Sequence, residues 1–412
     1  CCHRRFRQLW KHEKVTYSKE EISVEKIRLG IIGIGNMGSE HCRLILSGQT
    51  PEIALTCVAD PRQDRRDWAQ QTLPAGTGIY ADGMSLIRAH ACDAVLIATP
   101  HELHPPLAEA ALRAGLHVLS EKPAGVYTAQ LHPVIAAAQE TGRTYALMFN
   151  QRTNCVYRRL KALMDSGELG ALKRVTWVVT DWYRSQAYYD SGAWRATWTG
   201  EGGGVLLNQC PHQLDLLQWL CGLPVRVRAA CHEGKWHDIE VEDDVTAYLE
   251  FANGATGTFI ASTGDALGEN RLEIIGTRAR IRIENDQLTL DTLSVDERDW
   301  CPVCKEPFGV PDIQHEIVQT DGENPQHAGV LNAFAAHILH GTPLVADGRE
   351  GIRGLMLSNA MHLSSWTNQT VSLPIDEELF LKLLNEKRRT SRHKDEVDAA
   401  IDVSGSFGST RK

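Results

Sequence analysis

Hydrophobic and polar positions follow two different rhythms along the chain, and the change falls near Asn150. Over residues 27–149, short apolar runs alternate with segments of helical period. Arg28-Leu29-Gly30-Ile31-Ile32 reads as a strand, and Cys42, Leu44, Ile45 and Leu46 mark the helix after it. Residues 53–59 read as a second strand, followed by a helix over about 62–71. Ala94-Val95-Leu96-Ile97-Ala98 is a continuous apolar run of the kind that parallel strands bury on both faces. Leu107, Ala108, Ala111 and Leu112 share one helical face, with Gly115 as the stop. A strand at 117–119, a helix over about 128–140 and a strand at 145–149 complete the series. This alternation predicts βαβ units and an α/β fold.

After Asn150 the period shortens to two. Residues 174–182, 225–231, 244–251, 255–263, 271–275, 279–284 and 287–293 alternate like half-buried strands. Several are joined by short turns such as Asn253-Gly254. They predict a second, α+β domain over 150–385 with a large, mostly antiparallel open sheet. Helices are expected at about 326–339 and 348–366, and a short strand at 371–375. The polar segment 386–412 is expected to be a disordered tail. Residues 1–26 start with Cys1 and a basic Arg4-Arg5-Phe6-Arg7 cluster. With no apolar stretch behind it, this cluster does not read as a secretory signal. We expect a disordered or non-native extension there.

Length and composition narrow the functional classes. The 412 residues, 42% of them apolar, suffice for two or three domains with full cores. A net charge of -9 argues against a nucleic-acid or membrane-surface protein. No apolar run approaches the roughly 18 residues of a membrane span. The 11 cysteines are scattered, which suits reduced thiols and a cytoplasmic location. The one close pair, Cys301 and Cys304, lacks a second pair to complete a zinc site, so no metal is expected.

The candidate chemistry begins at the turn Gly33-Ile34-Gly35-Asn36-Met37-Gly38, between the first strand and the first helix. Gly33 permits a tight turn, Gly35 lets the backbone approach a pyrophosphate, and Gly38 lets helix pack on strand. Asp60 ends the second strand, where a carboxylate can hold the adenosine ribose hydroxyls and repel a 2′-phosphate. NAD is therefore favoured, with NADP possible because Arg62 stands nearby. Lys122 lies just past a parallel strand, where such sheets bind ligands. It could support a developing alkoxide, or be an ordinary surface lysine.

A second cluster runs from Gly202-Gly203-Gly204 through Asn208 to Pro211, His212 and Asp215. The three glycines suggest a close backbone approach. Pro211 suits the first turn of a helix, where the dipole disfavours an imidazolium. His212 could then be a general base oriented by Asp215 one turn on, or a residue packed beneath a loop. Trp182, Arg184 and Arg195 belong to a stretch of interleaved aromatics and arginines that suits a polyhydroxylated ligand or a packed loop. His101 and His104 lack helical zinc spacing and are expected to flank the helix near 106.

Together these segments resemble the glucose–fructose oxidoreductase / inositol dehydrogenase / MocA family over about residues 27–375. The resemblance rests on the turn at 33–38, Asp60-Pro61, Ala98-Thr99-Pro100 with His104, the stretch from Gly115 to Pro123, and Gly202 to Asp215. It implies an N-terminal Rossmann domain and a C-terminal domain whose open sheet mediates oligomers. It implies NAD or NADP held by Gly33, Gly35, Gly38 and Asp60, with Thr99 and Glu121 nearer the nicotinamide. It also implies Lys122 as the motif lysine and His212 as the base. Many members carry an aspartate four residues before that histidine. Here Asn208 stands instead, and an amide cannot take the proton.

The expectation is an NAD(P)-dependent dehydrogenase acting on a secondary hydroxyl of a sugar, glycoside or cyclitol. A homo-oligomer, dimer or tetramer, is expected. Two alternatives remain open, an NAD-assisted glycoside-cleaving enzyme and a sugar- and cofactor-sensing protein without turnover.

Overall fold

The computed structural model describes residues 25–394. Its first strand, β1 (Ile27–Ile32), is buried except at Arg28, as an inner parallel strand must be. Next come α1 (Asn36–Leu46), β2 (Ile53–Ala59), α2 (Gln63–Thr72), β3 (Gly78–Tyr80), α3 (Gly83–Ala89) and β4 (Ala94–Ile97). They are followed by α4 (His104–Arg113), β5 (His117–Ser120), α5 (Leu131–Thr141) and β6 (Tyr145–Leu147). All six strands are parallel, in the order β3-β2-β1-β4-β5-β6. The order reverses between β1 and β4, and ligands of such sheets bind in the crevice outside the strand ends at that point.

The second unit opens with α6 (Cys155–Ser166), β7 (Leu172–Val179), α7 (Gln186–Asp190) and α8 (Pro211–Cys221). Then come β8 (Arg226–Glu233), β9 (Glu242–Glu250), β10 (Thr256–Ser262), β11 (Asn270–Gly276), β12 (Ala279–Glu284) and β13 (Gln287–Leu293). The chain continues through α9 (Glu297–Trp300), β14 (Ile313–Ile317), α10 (Gln326–His340), α11 (Gly351–Thr367), β15 (Val371–Ser372) and α12 (Glu377–Arg389). Its nine strands form one sheet, β14-β13-β12-β11-β7-β10-β9-β8-β15. Only the β7–β10 pair is parallel. Trp177 at its centre is fully buried against Tyr157 and Phe259. The mostly antiparallel sheet matches the period-two pattern.

Two expectations change. The helix near 326–339, here α10, leaves the second sheet and covers the first. Its stripe of Val330, Leu331, Phe334 and Ala335 packs in one cluster with Leu29, Ile31, Val58 and Leu96. The segment from 386 is also not a disordered tail at its start. α12 runs through Arg389, is capped by Asp376 on the Leu379 N–H (2.9 Å), and buries Phe380 and Leu384. Acidic residues in its first turn and basic ones in its last complement the helix dipole. Beyond it, Ser391 meets Thr199, and the Lys394 ammonium donates to the carbonyls of Tyr189 (3.1 Å) and Arg195 (3.2 Å). The expectations for 1–24 and 395–412 lie outside the described residues. Among the described residues, no helix is long and apolar enough to cross a membrane.

Candidate active site

The glycine turn links β1 to α1 and packs under the end of β4. Gly33 has φ +86°, and a Cβ there would sit 2.7 Å from the Ala98 carbonyl oxygen. A Cβ on Gly38 would meet the Gly33 carbonyl at 1.9 Å, while one on Gly35 would point into open space. No side chain caps the N-terminus of α1, so the first-turn N–H groups of Asn36, Met37 and Gly38 face outward without acidic competition. These features fit a pyrophosphate. They also separate two kinds of glycine. Gly38→Ala is expected to lower the melting temperature markedly. Gly35→Ala is expected to keep wild-type stability but weaken NAD binding by about ten-fold or more, read by thermal melts and calorimetric titration.

Asp60 is buried at the end of β2. One of its oxygens accepts the Ile34 N–H (2.9 Å) and the other the Arg62 N–H (3.0 Å). The carboxylate thus ties the turn to β2 and keeps lone pairs for further donors. The Arg62 guanidinium lies on Asp64 (3.0 Å), so a 2′-phosphate would have to compete with that pair. Thr99, past β4, has a buried hydroxyl without a hydrogen-bond partner, and its methyl lies beside Gly33. Such an orphan at the switch point suits a cofactor contact.

Glu121 and Lys122 follow β5. Glu121 is buried and bonds the His41 ring of α1 at 2.6 Å. Burial would raise its carboxyl, but the His41 hydrogen bond and the nearby His41, His327 and Lys122 charges lower it to about 2. The Lys122 ammonium donates to the Asn208 carbonyl at 2.9 Å. Burial pulls Lys122 below its ordinary range, with Arg195 and Arg184 adding to the shift against Glu121 and Glu201. His104 ties two loops together, one ring nitrogen 2.7 Å from the Thr99 carbonyl and the other 2.8 Å from that of Pro123. His101 does the same across the two units, reaching the Glu201 carbonyl at 3.2 Å. Both flank the start of α4, as expected.

Pro211 opens α8, and His212 sits in its first turn. Burial, reinforced by the Lys122 charge, holds the imidazole well below the ordinary histidine value, so it is neutral at pH 7. Its Nδ1 is buried without a partner. Asp215 does not orient it. That carboxylate forms a two-pronged pair with Arg152 (2.8 and 2.7 Å) and also accepts from Gln218. Arg152 lies beneath α8, so the fully buried Asp215 is claimed by the nearer full charge. The three glycines likewise serve the chain itself. A Cβ on Gly202 would meet Val126 at 2.4 Å, and one on Gly204 would meet the Glu242 carbonyl at 1.9 Å. The buried Glu242 carboxylate also accepts the Gly204 and Leu206 N–H groups.

The Asn208 side chain is held from two sides. Its amide N–H donates to Glu201, and its oxygen accepts from the Tyr188 hydroxyl at 3.3 Å. Arg195 donates to the same hydroxyl at 2.9 Å and lies 4.6 Å over the Tyr188 ring. Arg184 stacks on Trp182 and Tyr188, and the buried Trp182 indole N–H has no hydrogen-bond partner. The structure therefore gathers Lys122, Asn208, Arg184, Arg195 and Trp182 into one neighbourhood, with His212 within reach of the Lys122 charge. Glu201, His41 and His327 carry no motif and escaped the sequence reading. An open cleft of about 650 Å³ lies around Trp219 instead, but its charges pair among themselves, as in Arg158–Asp321.

A model of the NAD-binding Rossmann fold of the GFO/IDH/MocA oxidoreductases matches residues 27–149, and one of that family's C-terminal domain matches 157–282. The chain is 32% identical over 204 residues to the uncharacterized oxidoreductase YdgJ of Escherichia coli, which is 49% of this chain and 55% of that protein. It is 22% identical over 353 residues to the inositol 2-dehydrogenase of Rhizobium meliloti, covering 84% of this chain and 99% of that one. The chain thus spans about half of the first relative and nearly all of the second. Among solved structures it is similar to the WlbA dehydrogenase of Bordetella pertussis in complex with NADH and UDP-GlcNAcA. That match has 25% identity and a TM-score of 0.72, over 85% of this chain and 100% of that one. Both halves of the molecule thus lead to one conclusion: the chain belongs to the GFO/IDH/MocA oxidoreductase family, with an NAD-binding Rossmann domain.

Proposed function

We propose that the protein is an NAD-dependent dehydrogenase that oxidises a secondary hydroxyl of a sugar, glycoside or cyclitol. The observation that carries this reading is the Lys122 ammonium, fixed on the Asn208 carbonyl outside the strand ends, in the electrostatic reach of a neutral His212. Gly33, Gly35, Gly38, Asp60, Thr99 and Glu121 would hold NAD, which supplies a hydride-accepting nicotinamide when bound.

The chain's own residues handle the proton and the substrate. His212 takes the hydroxyl proton, which its neutral ring can accept at pH 7. Lys122 donates to the same oxygen and steadies the negative charge that develops there. Asn208 cannot take a proton, but it can orient a hydroxyl. Glu201 accepts from its N–H, so the amide oxygen is the atom turned toward Tyr188 and the substrate side. Trp182, Arg184 and Arg195 hold the sugar. The relative named inositol 2-dehydrogenase and the neighbour crystallised with a nucleotide sugar support a polyhydroxylated substrate.

A panel of sugars, glycosides and cyclitols assayed with NAD and NADP tests this reading by nicotinamide absorbance. Binding of NAD without reduction by any of them would sink it. The pH profile of kcat/KM carries a further expectation. His212 must be neutral, so activity is lost as pH falls through its lowered pKa, giving an acid limb below 6.5. Lys122 must be charged, so activity is lost as pH rises through its lowered pKa, giving an alkaline limb below 10.5. An acid limb at or above the ordinary histidine value would speak against His212 as the base.

A further inference from the structure

Two arginines at this site share one aromatic ring. The guanidinium carbon of Arg184 lies 5.0 Å from the Tyr188 ring centre and that of Arg195 lies 4.6 Å from it. The two positive charges are therefore no farther apart than the sum of these distances. Stacking explains how each is placed, but like charges at such range repel.

The hydrogen bonds of both go to neutral oxygens. Arg184 donates to the Tyr183 carbonyl (2.9 Å) and the Trp182 carbonyl (3.4 Å), and Arg195 to the Tyr188 hydroxyl. A guanidinium carries five N–H donors, so each fork retains donating capacity. Glu201, a buried acid whose carboxyl burial pushes up against the pull of Arg195, is already engaged by the Ala196 N–H (2.7 Å) and by Asn208. Lys122 adds a third cation, near enough that both arginines lower its pKa. Glu121 and Glu201 act on Lys122 in the opposite sense, whereas the forks of Arg184 and Arg195 bond neutral oxygens and can receive an anion.

The arrangement is also built rather than loose. The Arg184 N–H donates to the Thr263 carbonyl, and its own carbonyl lies 2.9 Å from the His237 Nε2. His237 is held in turn by the fully buried Asp243, 2.9 Å from its Nδ1. This chain of contacts fixes where the Arg184 fork begins. Both arginines are half-buried, where charges are screened less than at an open surface.

We infer that the substrate is a sugar bearing an oxyanion, a carboxylate or a phosphate, which Arg184 and Arg195 receive. The inference rests on the dehydrogenase reading and names the substrate class of that site. A planar carboxylate can accept two parallel bonds from one fork, and a phosphate can bridge two. The anion would also offset the mutual repulsion of the two arginines.

The test compares three probe sets on the NAD-loaded protein: hexuronates, hexose phosphates, and the corresponding neutral hexoses. Calorimetric binding and nicotinamide reduction are read separately. One anionic set is expected to bind more tightly than the neutral hexoses by roughly 10- to 100-fold, and the preferred set tells carboxylate from phosphate. That advantage should shrink as salt rises. Arg184→Gln and Arg195→Gln should lose it mainly through KM, and Arg195→Lys should restore part of it. Retained NAD binding in each variant shows that the fold persists. Equal binding of neutral and anionic sugars, or an advantage unchanged in both glutamine variants, would overturn the inference. Turnover of neutral hexoses without preference would overturn it and leave the dehydrogenase reading intact. Tight anion binding without any nicotinamide reduction would do the reverse.

Discussion

Lys122→Ala is expected to cut turnover by roughly 10²-fold or more while leaving NAD affinity nearly unchanged. The ammonium contacts the Asn208 carbonyl rather than the glycine turn. On the proposed reading its removal takes away the donor at the reacting oxygen but not the groups that would cradle the pyrophosphate. The loss should fall on kcat as well as kcat/KM, because the charge acts on an alkoxide that develops only in the transition state. Stopped-flow turnover and an NAD titration on the same preparation check both halves. Near-normal turnover would mean that Lys122 is a packed lysine at a loop junction.

Asp215→Ala is expected to cost about 3–5 kcal/mol of stability, the range for removing one partner of a buried ion pair. Both side chains are almost wholly sequestered, Arg152 at 3% exposure and Asp215 at 1%. The variant leaves a buried guanidinium with Glu350, at 2.7 Å and partly exposed, as its remaining acid. Burial pushes the Asp215 carboxyl upward against the pull of Arg152, so the pair holds its charges through its two-pronged geometry. Denaturant unfolding measures the loss. The joint variant Arg152→Met, Asp215→Leu should recover much of it, since an apolar pair leaves no lone buried charge. The acid limb of the pH profile should stay where it is, because Asp215 does not touch His212. A shift of that limb in Asp215→Asn would revive the role first read from helical spacing.

Much of the fold was legible because it is written in local periods. A continuous apolar run marks β4, short strand-like stretches mark β1 and β5, and alternation marks β8 to β13. What escaped was decided by distance in sequence. α10 shows its stripe plainly, but nothing local says that the stripe covers the first sheet. α12 carries its own signals, Asp376 as cap, acids first and bases last, but lies in a highly charged segment next to the polar tail. Asp215 stands one turn from His212, yet the buried Arg152, far away in sequence, claims it. Glu201 shows the same limit. An acid beside three glycines looks like loop polarity until the fold sets it against Asn208. The glycines themselves suggest a close backbone approach, and the structure uses them to bring Val126 and Glu242 close.

Direct transfer of label tests the central claim. The protein is incubated with NAD and carbon-deuterated hexoses, hexuronates, hexose phosphates and inositols, and the cofactor is recovered for mass spectrometry. Deuterium should appear in the reduced cofactor with at least one of these sugars, and should fall sharply in Lys122→Ala. Tight NAD binding with no deuterium transferred from any of them would contradict the account.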